Sequence, residues 1–114
     1  MEVEFDDPKL SKLFSSDRNL QREMGKPRAS LLRRRLAELA IANSMDDLRG
    51  MLGNWHPLSA DRHEEWSASL DQPYRLVVRP TPPVPRLADG GVDWRSVIGV
   101  TVVEVVNYHS RNDH

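Results

Sequence analysis

The sequence predicts an α+β fold, and three observations point to it. Apolar residues recur at helical spacing through the first half of the chain. After Trp55 the period shifts to the alternation of strands. The longest β-branched run, Val97 to Tyr108, then closes the sequence as the expected central strand. Two N-terminal helices are expected to pack on one face of a small twisted antiparallel sheet.

The elements read as follows. Met1 to Phe5 alternates apolar and acidic residues, as a short edge strand would. Asp6-Asp7-Pro8 reads as a helix start, an Asx cap followed by proline in the first turn. Leu10, Leu13 and Phe14 share one face of that helix, and Ser15-Ser16-Asp17 is a place for it to break and restart. Gly25-Lys26-Pro27 ends it. A second helix over Pro27 to Ala42 carries an apolar stripe of Ala29, Leu32, Leu36, Leu39 and Ala40. Each helical step turns about 100°, so Arg33, Arg34 and Arg35 cannot share a face; all three are expected near solvent. Ser44 reads as the cap of a short helix, Met45 to Gly50, with Asp46 and Asp47 in its first turn. Trp66 to Leu70 and Tyr74 to Arg79 read as strands joined by a turn at Asp71-Gln72-Pro73. Residues 80–95 form a Pro- and Gly-rich excursion, and 1–114 read as one domain.

Composition excludes several classes of protein. With no cysteine there is no disulfide framework, no thiolate nucleophile and no Cys-type zinc site. The apolar runs are too short to span a membrane, and MEVEFDDPK lacks the apolar region of a secretory signal. A cytoplasmic protein is expected. The net charge of −1 lacks the basic excess common in nucleic-acid binders. Of the 16 basic residues only Lys9, Lys12 and Lys26 are lysine. That arginine bias suits phosphate recognition, and equally suits a GC-rich genome.

Five segments occur in a telling order: Trp55-His56-Pro57-Leu58, Asp61-Arg62, Glu65-Trp66-Ser67, Tyr74-Arg75-Leu76 and Val105-Val106-Asn107-Tyr108-His109. Together they resemble the HigB-like toxins of the RelE/ParE superfamily, the toxin halves of bacterial type II toxin–antitoxin pairs. Asp89-Gly90-Gly91-Val92-Asp93-Trp94, in the excursion, resembles a subgroup sometimes labelled killer suppression protein. The resemblance runs from Leu10 to His109. It implies a RelE/ParE-like fold and a ribosome-dependent mRNA endoribonuclease that uses no metal or other cofactor. It also implies a helix-turn-helix (HigA-like) antitoxin as partner, in a heterotetramer built on an antitoxin dimer, with ribosome and mRNA as targets and no membrane partner. Relatives of the ParE type imply another outcome on the same fold: a gyrase inhibitor, or a degenerate toxin that only binds its antitoxin.

Metal-free RNA cleavage by 2′-hydroxyl attack needs a base, an acid, and cations over the phosphorane charge. Imidazole titrates near neutrality and suits the first two roles; arginine suits the third. By resemblance His56 matches the family's loop histidine, Arg75 an active-site arginine, and Tyr108 with His109 its strand-end pair. Arg75 and Arg79 fall on one face of their strand and are expected to clamp a phosphate between them. Arg62 is expected to assist at the phosphate. The bland readings are a loop-closing His56, solvent-facing strand arginines, a core tyrosine and a tail histidine. The sequence departs from the family pattern at Ser59, where many members carry Lys, and at Asn107, where many carry an acid. Arg62 stands in for the first, Glu65 or Asp61 for the second. A metal site from His56, Asp61 and His63 matches no standard ligand spacing. Trp55 and Trp66 read as core aromatics, and Trp94 as a residue that packs the excursion down or anchors a partner.

Overall fold

The computed structural model describes residues 1–59, 62 and 64–107. The chain runs β1 (Glu2–Phe5), α1 (Pro8–Phe14), α2 (Asp17–Met24), α3 (Lys26–Ile41), a 3-10 helix (Met45–Gly50), β2 (His56–Pro57), β3 (Trp66–Ser69), β4 (Tyr74–Pro80), a 3-10 turn (Trp94–Ser96) and β5 (Gly99–Asn107). The fold is α+β. Among the described residues, five strands lie in the order β1-β5-β4-β3-β2.

The sheet is mixed rather than wholly antiparallel. β2 to β5 pair antiparallel, but β1 lies parallel to β5 with Val3 opposite Val100. All the other elements lie between β1 and β5 in sequence, ample chain for the crossover that a parallel pair needs. Because β1 occupies the outer side of β5, the centre of the sheet falls on β4 and not on the β-branched run.

The expected first helix is two. Asp7 caps α1 by accepting from the Leu10 amide, and the Ser16 hydroxyl accepts from the Asn19 amide to start α2. Gly25, at φ 82°, then turns the chain into α3. Ser44 holds the cap position of the 3-10 helix, but its side chain makes no cap bond. Asp47 reaches back instead and accepts from the Asn43 amide.

The core lies between the helices and one face of the sheet. Leu20, Ala29, Leu32, Leu39, Met45 and Leu48 pack against Trp66, Ala68, Leu76, Val78, Val100 and Val102. Ala40 is exposed, although it belongs to the expected stripe. Arg35 departs more sharply from expectation, being only 8% exposed. Its Nε donates to the Ser69 carbonyl and its Nη1 to Glu38, which meets the requirement that a buried charge be paired. Arg34 is exposed and Arg33 half-buried.

The excursion folds back onto this core. Val97 and Val92 are buried, Trp94 lies 5.0 Å from Trp66 between ring centroids, and Met45 donates its amide to the Val97 carbonyl. Among the described residues, no helix is long and apolar enough to cross a membrane.

Candidate functional site

The sheet face turned away from the helices carries the polar residues. Strand alternation and register set His56, Ser67, Val77 and Glu104 in one row across β2, β3, β4 and β5. Arg75 lies opposite Val106 on the same face, and Arg79 opposite Thr101. An irregularity between Val77 and Val78 inserts Val103 as an extra residue on β5, so that Glu104 joins this face and Val102 the core.

His56 reaches the site through a braced loop. Glu38 on α3 accepts from the Gly53 amide at 3.1 Å and from the Trp55 indole at 2.7 Å. A Cβ on Gly53 would come within 2.6–2.8 Å of Trp55, Glu38 and Arg35, so the backbone passes where only glycine fits. Asn54 takes φ 53°, which swings His56 onto the edge of β3.

His56 and Arg75 meet there. Arg75 Nε donates to the Ser67 hydroxyl at 2.7 Å, and its Nη2 lies 3.4 Å from His56 Nδ1. The same Nδ1 lies 3.0 Å from the Asn54 carbonyl. These two contacts ask opposite things of one nitrogen. Protonated, Nδ1 donates to Asn54 and leaves Nε2 a free base. Unprotonated, it accepts from Arg75 and leaves the proton on Nε2 as a hydrogen-bond donor. The imidazole is exposed, so either form of Nε2 is open to a ligand.

The other expected cations are engaged elsewhere. Arg62 donates from Nε to Glu65 at 2.5 Å and from Nη2 to Glu104 at 2.6 Å. Burial works against its charge, but the bonds to Glu65 and Glu104 outweigh it and hold the guanidinium above its ordinary range. Its Nη1 is buried with no partner among the described residues. Arg79 donates to Asp6 at 2.6 Å. The clamp expected of Arg75 and Arg79 does not form. They stand four positions apart, about 13 Å along the strand, with Val77 between. Arg75 turns toward His56 while Arg79 turns to the β1 side.

Tyr108 and His109 lie outside the described residues, as do Asp61 and His63. β5 is described as far as Asn107, opposite Tyr74, next to the pair of Arg75 and Val106. Ser59 is exposed and brings no cation to the site. Glu65 is committed to Arg62. Trp55 and Trp66 are core aromatics, 3% and 0% exposed. Among the described residues, no three His, Asp or Glu side chains gather as a metal site would require.

The chain matches no known protein-family model and no curated protein. The site therefore rests on its own geometry.

Ser67 and Glu104 escaped the sequence reading. Ser67 orients Arg75, and Glu104 holds Arg62. The signals were present: Ser67 sits at an alternate position between buried Trp66 and Ala68, and Glu104 is the one acid inside a valine-rich strand.

Proposed function

We propose that the chain is the toxin of a type II toxin–antitoxin pair and acts as a ribosome-dependent mRNA endoribonuclease. The observation that carries this reading is the contact between exposed His56 and half-buried Arg75 on the sheet face turned away from the helices, with Ser67 fixing the guanidinium. In the proposed reaction the 2′-hydroxyl attacks the adjacent phosphorus and the bond to the 5′-oxygen breaks. The proton leaves the 2′-oxygen for a base, and the 5′-oxygen takes one from an acid. His56 Nε2 serves as one of these, and His109 with Tyr108 supplies the other. Arg75 stabilises the phosphorane charge. A helix-turn-helix antitoxin neutralises the toxin in a heterotetramer, and the reaction takes place in the cytoplasm.

A specific observation favours a second reading, a RelE/ParE-fold binding protein without nuclease activity. Arg62, Arg79 and Arg86 are each paired to a carboxylate, which leaves this face little excess charge for an RNA backbone. Such a protein would inhibit gyrase or only bind an antitoxin.

Induction of the chain in a bacterial host, with mapping of mRNA 5′ ends, separates the two. The nuclease produces new ends that require translation and vanish in the H56A/H109A variant. Growth arrest without new ends moves the target to gyrase. No arrest with soluble protein present marks a degenerate toxin.

A further inference from the structure

We infer that the outer edge of β1 is a docking surface for an extended segment of a partner protein that carries Lys or Arg at alternate positions. The inference stands apart from the nuclease reading, because β1 contributes nothing to the His56–Arg75 contact.

Among the described residues, the edge is open on backbone grounds, and β1 joins the sheet only through β5. The Glu2 amide donates to Ile98 and the Asp6 amide to Val102, so the even-numbered residues bond inward. The period of two turns the N–H and C=O groups of Val3 and Phe5 outward, where they find no partner among the described residues. Such a row is a template for an added strand.

The side chains say what the added strand should carry. Glu2 and Glu4 stand exposed along the edge. A groove of about 600 Å³ opens on their inner side, toward β5, walled by Pro83, Val84, Ile98 and Gly99. The charged head of a Lys or Arg on a strand added outside β1 meets these two carboxylates across the strand pair. Exposed aliphatics mark the start of the same strand. Ile98 is 68% exposed and its carbonyl receives the Glu2 amide. Ile41 is 76% exposed and lies between Ala40 and Ala42, whose carbonyls both receive the Met1 nitrogen.

A second copy is the wrong occupant. An antiparallel pair centred on Val3 sets Glu2 of one copy against Glu4 of the other, and like charges directly opposite are destabilising. The edge therefore rejects itself and selects a cationic strand.

The test uses the full chain, labelled with nitrogen-15, and two acetylated, amidated peptides: Thr-Lys-Val-Lys-Val-Thr and its counterpart with Glu for Lys. The Lys peptide is expected to slow amide exchange at Val3 and Phe5 and to bind at least about tenfold tighter than the Glu peptide. Val3→Pro should remove that binding, because the lost N–H faces away from β5. The double variant Glu2→Lys with Glu4→Lys should reverse the preference between peptides, and it tests the idea even if Val3→Pro unfolds the chain. Equal binding of both peptides overturns the inference. So does protection at Val3 and Phe5 that arises from self-association, or from an RNA oligonucleotide instead of the peptide.

Discussion

The Trp55 indole donates to Glu38 Oε1 at 2.7 Å, and this bond ties the loop that carries His56 to the longest helix. Glu38 also accepts from the Gly53 amide and pairs with buried Arg35. One carboxylate thus satisfies a loop amide, an indole and a guanidinium, all in a partly buried setting where unpaired groups are costly.

Glu38→Ala should destabilise the fold by about 3 kcal/mol, since it strands a buried charge as well as two donors. Glu38→Gln keeps an acceptor for Trp55 and should cost less. Urea unfolding followed by tryptophan fluorescence reads both. Equal losses in the two variants would show that the Arg35 charge, not the loop bonds, dominates.

Gly53→Ala should cost about 2 kcal/mol, the penalty of forcing a methyl into filled space. Because the clash falls on Trp55 and Glu38, His56 should shift with the loop. The proposed cleavage should fall more than thermal stability does. Retained activity in a folded Gly53→Ala variant would show that the loop relaxes without moving His56.

Arg28 and Asp71 join α3 to the β3–β4 turn through two parallel bonds of 2.9 and 3.0 Å. The hydrogen bonds from Arg28 hold the Asp71 carboxyl below its usual range, against a smaller opposing effect of burial. A depressed carboxylate contributes stability above its unfolded value and loses it as pH falls through the folded value. The contribution should therefore be intact above about pH 4 and fade below it. Partial exposure keeps it below about 1 kcal/mol. Chemical denaturation from pH 7 to pH 2 should show this acid-sensitive part in the natural chain and lose it in Asp71→Asn.

Arg75 and Arg79 should behave differently in an RNA-cleavage assay. Arg75→Ala is expected to lower the proposed activity by about 100-fold or more, the scale for removing a group that stabilises transition-state charge. Arg79→Ala should stay within about threefold, because its guanidinium is spent on Asp6. Cleavage rates in a translating extract decide it. Equal losses would restore the two-arginine clamp, reached by breaking the bond to Asp6.

Much of the architecture was legible in local chemistry. Asp7 before Pro8, the Ser16 cap and Gly25 each act through a backbone bond within a few residues, so their meaning survives without the rest of the fold. The meeting of His56 with Arg75 was legible only as two separate candidates, 19 residues apart in sequence. What escaped depends on long-range partners. Arg35 looks like a solvent residue until Glu38 and the Ser69 carbonyl enclose it. Arg62 looks like a free cation until Glu104, 42 residues on, takes it. The parallel direction of β1 follows from its pairing with β5, nearly a hundred residues on, which no alternation of apolar and acidic residues encodes.

The pairing of β1 with β5 has a consequence for synthesis. Val3 lies opposite Val100, so about a hundred residues must leave the ribosome before the first strand finds its neighbour. Contacts that distant in sequence slow folding and demand loop closure before they repay it. Through that interval the apolar residues of α1, α2 and α3 have no completed sheet to cover them. A nascent chain halted before Gly99 is therefore a substrate for chaperones and proteases, and the last strand acts as the step that commits the molecule to its native form.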